Sequence, residues 1–264
     1  GVWGSSYSGG HVIVVGAIDR RVKCVSAQVP LISGHRNARR IVRADFVRAV
    51  EGMFEADRAA RYRGEPPAMI PVVDADPMAP SALPTPDSWA WFSETGNTRA
   101  PSWKNEVTLR SVEMFWEYEP GAYLPYVSPT PLQIVVARDD HLTVSDLAIE
   151  AIEHAREPKR LVILPGGHFD AYVDGFDGAS AAARGRLGPG ATAFREDGDR
   201  ADLPGGGERG LHVVAELREH LGSGLGGQGL AVGGGQGADL RRIGPELVIA
   251  QDHALLALPA RGRQ

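Results

Sequence analysis

Gly1-Val2-Trp3-Gly4-Ser5-Ser6-Tyr7-Ser8-Gly9-Gly10 opens the chain and holds its strongest fold signal. The residues two places before and after Ser6 are Gly4 and Ser8, both small. That pattern fits a strained turn between a strand and a helix, where two backbones pass too closely to admit larger neighbours. Such a turn lifts the serine hydroxyl above the sheet edge, and the N–H groups opening the next helix, Tyr7's first among them, point toward developing negative charge. Taken alone, the stretch also fits an ordinary Gly/Ser loop, so the weight rests on the residues further along the chain.

Residues 11–17 read as the helix after the turn, and the β-branched run 22–29, closed by Pro30, as a strand. Much later, residues 132–137 and 161–164 read as two more strands separated by a helix over 144–156. Thr143-Val144-Ser145-Asp146 fits a capping box, Val144, Ala148, Ala151, Ile152 and Ala155 share one face, and Pro158 ends the segment. Strand, helix, strand implies a right-handed parallel crossover. Asp140 stands just past the first of these strands and His168 just past the second. A serine on a sharp turn, then an acid, then a histidine, each beyond a strand C-terminus, is the order of a nucleophile elbow with its triad partners.

The expected triad is therefore Ser6, Asp140 and His168, with the Tyr7 amide in the oxyanion hole. His168 would take the Ser6 proton and return it to the leaving group, while Asp140 holds the imidazole tautomer. Asp139 is the rival for the acid, one residue away. His141 reads as solvent-facing and His11 as structural. His35, at the opening of the next segment, is a candidate pocket residue, since loops above a rigid sheet carry function. Trp89, Trp91, Phe92, Trp103, Phe115 and Trp116 read mainly as core, with Trp89 and Trp116 as candidates to touch an apolar substrate group.

The intervening stretch, residues 36–130, is richer in charge and aromatics and reads as a helical cap insertion. Ile41, Val42, Phe46, Val50, Met53 and Phe54 recur at helical spacing, a Pro-rich break spans 66–86, and helical patterns return near 89–94 and 105–119. The α/β core thus comprises residues 1–35 and 131–177. Of 33 glycines, 20 fall in residues 178–264, which hold Phe194 as their one aromatic. Because each glycine loses much backbone entropy on ordering, that tail is expected to be largely disordered, with short helices at most near 211–221 and 247–258. An out-of-frame origin for the tail would account for the abrupt change.

The formal charge of −5 includes no block of Lys or Arg, so the expected partner is a small molecule and not a nucleic acid. Cys24, the one cysteine, lies in an apolar run and reads as an inert buried thiol. No apolar stretch reaches the roughly 20 residues needed to span a bilayer. With no basic n-region or signal-type segment at the start, the chain is expected to be soluble and cytoplasmic.

Residues 1–34, Asp140-His141-Leu142-Thr143 and Pro165-Gly166-Gly167-His168-Phe169-Asp170 together resemble α/β-hydrolase proteins of the dienelactone-hydrolase-like and polyketide-transferase-like group, and more distantly X-Pro dipeptidyl-peptidase relatives. The resemblance covers about residues 1–177. It implies an eight-stranded, mainly parallel sheet, of which this chain holds the C-terminal part, and no metal or organic cofactor. It also implies early strands and a second oxyanion donor ahead of the elbow, so that the start at Gly1 is expected to be a cut. The activity it implies is cleavage of a carboxylic ester or thioester through an acyl-serine. Alternatives are acyl transfer, an X-Pro-type amidase, or an inactive fragment or binding module.

Overall fold

The computed structural model describes residues 1–184 and the backbone of 186–188 and 191–192. Its centre is a four-stranded, all-parallel sheet in the order β1 (Val2–Ser5), β2 (Val25–Gln28), β5 (Leu132–Ala137), β6 (Lys159–Leu164). Helix α1 (Tyr7–Ile18) carries the chain from β1 to β2, and α7 (Ser145–Ala151) carries it from β5 to β6. Because every strand runs the same way, all four C-termini lie on one edge of the sheet, with Ser6, Val29 and the loops after Ala137 and Leu164 standing directly beyond them.

Alternation along the strands assigns the two faces. Val2, Val25, Ala27, Leu132, Ile134 and Val136 join Val12 and Ile13 of α1 and Leu147, Ala148 and Ala151 of α7 in one core cluster. Burying each large aliphatic side chain here stabilises the fold by about 1.5–3 kcal/mol. The opposite face is more polar. Ser26 and Gln133 are fully buried on it, and the Gln133 amide donates to Ser26 Oγ and to the carbonyl of Ala182 in α8 (Phe176–Arg184). Helix α8 buries Ala179, Ser180, Ala182 and Ala183, so the ordered core extends past residue 177 to at least 184. Alanines let the helix approach the sheet closely, and the glycine-rich composition begins only after them. A short antiparallel pair, β7 (Arg186–Gly188) and β8 (Ala191–Thr192), follows. The segments 211–221 and 247–258, and most of the tail, lie outside the described residues.

The insertion holds α2 (Gly34–Ile41), α3 (Ala44–Tyr62), α4 (Pro86–Thr98) and α5 (Leu109–Glu117), with a two-stranded ribbon of β3 (Met69–Ile70) and β4 (Val107–Thr108). The apolar series from Ile41 to Phe54 is divided between α2 and α3 by a break at Val42 and Arg43, and Phe46 and Met53 are exposed while Phe54 is buried. The expected helix over 105–119 begins instead with strand β4, because Val107 and Thr108 pair with Ile70 and Met69. The insertion also ends sooner than residue 130. Leu124 and Val127, in α6 (Leu124–Val127), belong to the core cluster beneath the sheet.

Among the described residues no helix is long and apolar enough to cross a membrane. Cys24 is buried, and burial pushes its thiol up, as expected for an inert sulfur.

Candidate active site

Ser6 sits at the β1–α1 junction with φ 56° and ψ −122°, a region that a residue with a Cβ occupies only under constraint. The constraint is visible on both sides. The Ser6 amide donates to Gln28 O at 2.9 Å, and its carbonyl accepts from Gly9 and Leu31 amides at 3.0 Å each. Gly4 is small for the reason its position implies: a Cβ there would collide with the Ser8 carbonyl oxygen and come within 2.9 Å of Val12. The turn leaves the Ser6 hydroxyl projecting from the sheet edge, and Tyr7 as the first residue of α1, its N–H at the positive end of the helix dipole.

The loops after β5 and β6 supply the partners. Ser6 Oγ lies 3.0 Å from His168 Nε2, and His168 Nδ1 lies 2.8 Å from Asp140 Oδ2. His168 and Asp140 are almost fully buried. A buried carboxylate needs donors, and Asp140 has them: Oδ1 accepts from the Leu142 and Thr143 amides at 2.8 and 2.9 Å. With the carboxylate facing Nδ1, the ring proton belongs on Nδ1, which leaves the Nε2 lone pair to accept from Ser6 Oγ–H. Gly166 enables the histidine turn, with φ +89° and no room for a Cβ beside Asp170. The Asp170 carboxylate accepts from the Gly167 amide, and the Asp139 amide donates to Gly166 O, tying the two loops together.

Asp139 does not join this group. Its exposed carboxylate pairs with Arg138, whose hydrogen bond holds it below the usual carboxylate range. His141 is exposed. Nor does any described hydrogen bond or ring contact link His35, Trp89 or Trp116 to Ser6, Asp140 or His168. His35 is exposed, with Nδ1 3.2 Å from Arg39. Trp89 is exposed, and Trp116 is buried edge-to-face on Phe54 inside the insertion. The aromatics beside the site lie one or two residues away in sequence. Trp91 stacks on Phe169 at 5.2 Å, Phe169 abuts the His168 ring at 4.9 Å, and Phe115 packs 5.3 Å from Tyr7. Each helical residue turns the side chain by about 100°, so a neighbour in sequence faces another direction.

Tyr7, His11 and Tyr118 form a second cluster beside the elbow, with His11 Nδ1 3.1 Å from Tyr118 Oη. Burial lowers the His11 pKa and raises those of both tyrosines, so this wall is uncharged at neutral pH. Under the elbow, Ser5 Oγ meets Tyr172 Oη at 2.7 Å and accepts from Gln28 Nε2. Sequence reasoning misses Thr143, Asn37, Tyr118 and Tyr172. Thr143 reads as a helix cap, but α7 begins at Ser145 after Val144, and the Thr143 side chain turns inward to Asp140 and His168. Among the described residues no group of three or more His, Cys, Asp or Glu is arranged to hold a metal ion.

No protein-family model matches the chain. In sequence it is similar to a polyketide transferase, grgF, from a Penicillium species, 27% identical over 170 residues, a match covering 64% of this chain and 55% of that protein. A thiohydrolase, aneE, from Aspergillus aculeatus is 25% identical over 169 residues, covering 61% of this chain and 52% of the relative. The chain thus spans about half the length of the curated relatives it matches. The crystal structure of the α/β hydrolase GrgF from Penicillium sp. superposes with a TM-score of 0.55 at 24% identity, over 67% of this chain and 58% of that one. The structure of DcsB with its substrate analogue gives 0.56 at 22%, over 69% and 62%. The parallel sheet with its helices and the solved neighbours agree: the chain has the α/β-hydrolase fold, and its sequence is similar to a group that includes polyketide transferases and thiohydrolases.

Proposed function

We propose that this chain carries a serine acyl-transfer centre that cleaves a carboxylic ester or thioester through an acyl-Ser6 intermediate. One observation carries the reading: a serine at positive φ on a strand-to-helix turn has its Oγ 3.0 Å from the Nε2 of a histidine whose other nitrogen faces a buried carboxylate. Ser6 Oγ attacks the acyl carbonyl carbon as its proton passes to His168 Nε2. The oxyanion that forms is met by the Tyr7 N–H at the start of α1. Collapse breaks the bond from carbonyl carbon to leaving-group oxygen or sulfur, and His168 returns the proton to that atom. Water then attacks the acyl-enzyme, its proton passing to His168, and Ser6 leaves with that proton restored.

The relatives' names include polyketide transferases beside thiohydrolases, which favours acyl transfer, with a hydroxyl or amine in place of water, as the second reading. The triad is common to both, because only the second nucleophile differs. The substrate class in either case is a small acyl molecule beside the uncharged wall of Tyr7, His11 and Tyr118. The test is turnover of matched p-nitrophenyl esters and acyl thioesters with and without an added alcohol. The reading expects kcat/KM to fall by about 10³-fold or more in Ser6→Ala, and ester product with the alcohol only if the second nucleophile is exchangeable. Unchanged turnover by Ser6→Ala would refute it.

A further inference from the structure

The Thr143 hydroxyl stands among three polar atoms and has one proton. Its Oγ1 is 2.8 Å from Val29 O, 3.0 Å from Asp140 Oδ2 and 3.1 Å from His168 Nδ1. Val29 O and Asp140 Oδ2 can only accept, so either can take the threonine proton, and neither can supply one to Nδ1. The nearest of the three, Val29 O, is a carbonyl on a buried residue whose φ is +36°. A β-branched residue at positive φ is a marked outlier, held only by surrounding structure. Here the Val29 amide is fixed by Val135 O at 2.6 Å, and its carbonyl is turned onto Thr143. With its proton drawn to that carbonyl, Thr143 meets His168 as an acceptor. Nδ1–H then has two acceptors, Asp140 Oδ2 and Thr143 Oγ1, and the opposite tautomer would set a bare Nδ1 against oxygen lone pairs.

Thr143 is itself fixed from the insertion. Asn37 of α2 is buried, and its side-chain amide brackets the residue: Nδ2 donates to Leu142 O at 2.8 Å and Oδ1 accepts from the Val144 amide at 3.0 Å. Resting on the reading of Ser6 as the nucleophile, we propose that Thr143 is a positioning residue of the triad. Its hydroxyl, aimed by the Val29 carbonyl and held by Asn37, keeps the His168 proton on Nδ1 and the Nε2 lone pair on Ser6. The first helix of the insertion thereby belongs to the catalytic geometry.

Thr143→Val keeps the shape and removes the hydroxyl, while Thr143→Ser keeps the hydroxyl. With an acyl substrate turned over by the wild-type chain, Thr143→Val is expected to lower kcat about tenfold, the worth of one such hydrogen bond, with KM within twofold. Thr143→Ser should restore most of it. Asn37→Ala should lower kcat less and add nothing to Thr143→Val in the double variant, because it acts through the same hydroxyl. In ¹⁵N-histidine NMR, the slowly exchanging Nδ1–H resonance of His168 should shift or broaden in Thr143→Val and persist in Thr143→Ser. A wild-type kcat and resonance in Thr143→Val, failure of serine to rescue, or additive losses with Asn37→Ala would each overturn the proposal. The resonance does not depend on Ser6 reactivity. A wild-type chain that turns over no acyl substrate would therefore sink the proposed function, while the Thr143→Val spectrum still decides on Thr143.

Discussion

The backbone at Ser6 makes a prediction about stability that is separate from catalysis. At φ 56° and ψ −122°, a residue with a Cβ is held in a sparsely populated region at a cost of about 1–3 kcal/mol. Ser6→Ala and Ser6→Gly both lose the hydrogen bond to His168 Nε2, worth about 1 kcal/mol net. Alanine keeps the Cβ and with it the strain, whereas glycine adopts this conformation freely. Against that gain, glycine adds about 0.5–1 kcal/mol of unfolded-state entropy. The difference between the two variants is therefore the strain less this entropy, and Ser6→Gly should be the more stable by about 1 kcal/mol. Urea unfolding reads it directly: for a slope of about 2 kcal/mol per molar, the midpoint of Ser6→Gly should lie about 0.5 M above that of Ser6→Ala. Neither variant keeps the Ser6 hydroxyl, so its loss cancels in the comparison. A midpoint for Ser6→Ala equal to or above that of Ser6→Gly would refute the strained-elbow reasoning.

The same geometry yields three further expected outcomes. Asp140→Asn should cut kcat by about 10³-fold or more by releasing the tautomer, whereas Asp139→Asn, which loses only a solvent-exposed contact to Arg138, should stay within about twofold; steady-state kinetics on both variants checks this. Gly4→Ala should destabilise the chain by about 3 kcal/mol or prevent folding, since its Cβ would meet the Ser8 carbonyl of α1, and urea or thermal unfolding reads the loss. Burial alone would raise the pKa of Asp57, but hydrogen bonds from the Ala68 amide and Arg61 overcome it and hold the carboxyl below its ordinary value. A depressed folded-state pKa means the unfolded chain binds the proton more readily as pH falls. The Asp57 contribution is thus complete above about pH 4, the ordinary range of an unfolded aspartate, and is lost as pH drops through the lower folded value. Asp57→Asn should flatten that part of a stability-against-pH curve.

The parts of the fold readable from sequence are those where local chemistry and tertiary geometry ask for the same residues. Gly4 and Ser8 announce the tight crossing of β1 and α1, and the apolar runs at 132–137 and 161–164 announce strands; β5 is buried along its whole length, as a parallel strand covered on both faces needs no alternation, whereas the edge strand β6 is partly open and exposes Ile163. Asp140 and His168 follow those strands at once, so their placement needs no long-range information. What does not show is set by contacts distant in sequence. Thr143-Val144-Ser145-Asp146 satisfies a capping pattern, yet the Thr143 hydroxyl goes to Val29 O and His168, partners more than 20 residues away. Asn37 offers no local signal at all; its role exists only because α2 lies against the loop after β5. Trp89 and Trp116 stand out by residue type, whereas helix phase, fixed by packing, brings Trp91 and Phe115 toward the site. Ala179, Ala182 and Ala183 read as tail for want of large apolar residues, though small side chains suit a helix pressed on a sheet.

The whole scheme turns on Ser6 being a nucleophile activated by His168. Treating the chain with a fluorophosphonate and mapping the adduct by peptide mass spectrometry is its sharpest test. The expected result is a single phosphonylated site at Ser6, absent in Ser6→Ala and formed far more slowly in His168→Ala. A chain that takes up no label, or takes it up at another serine while Ser6 stays free, would contradict the scheme.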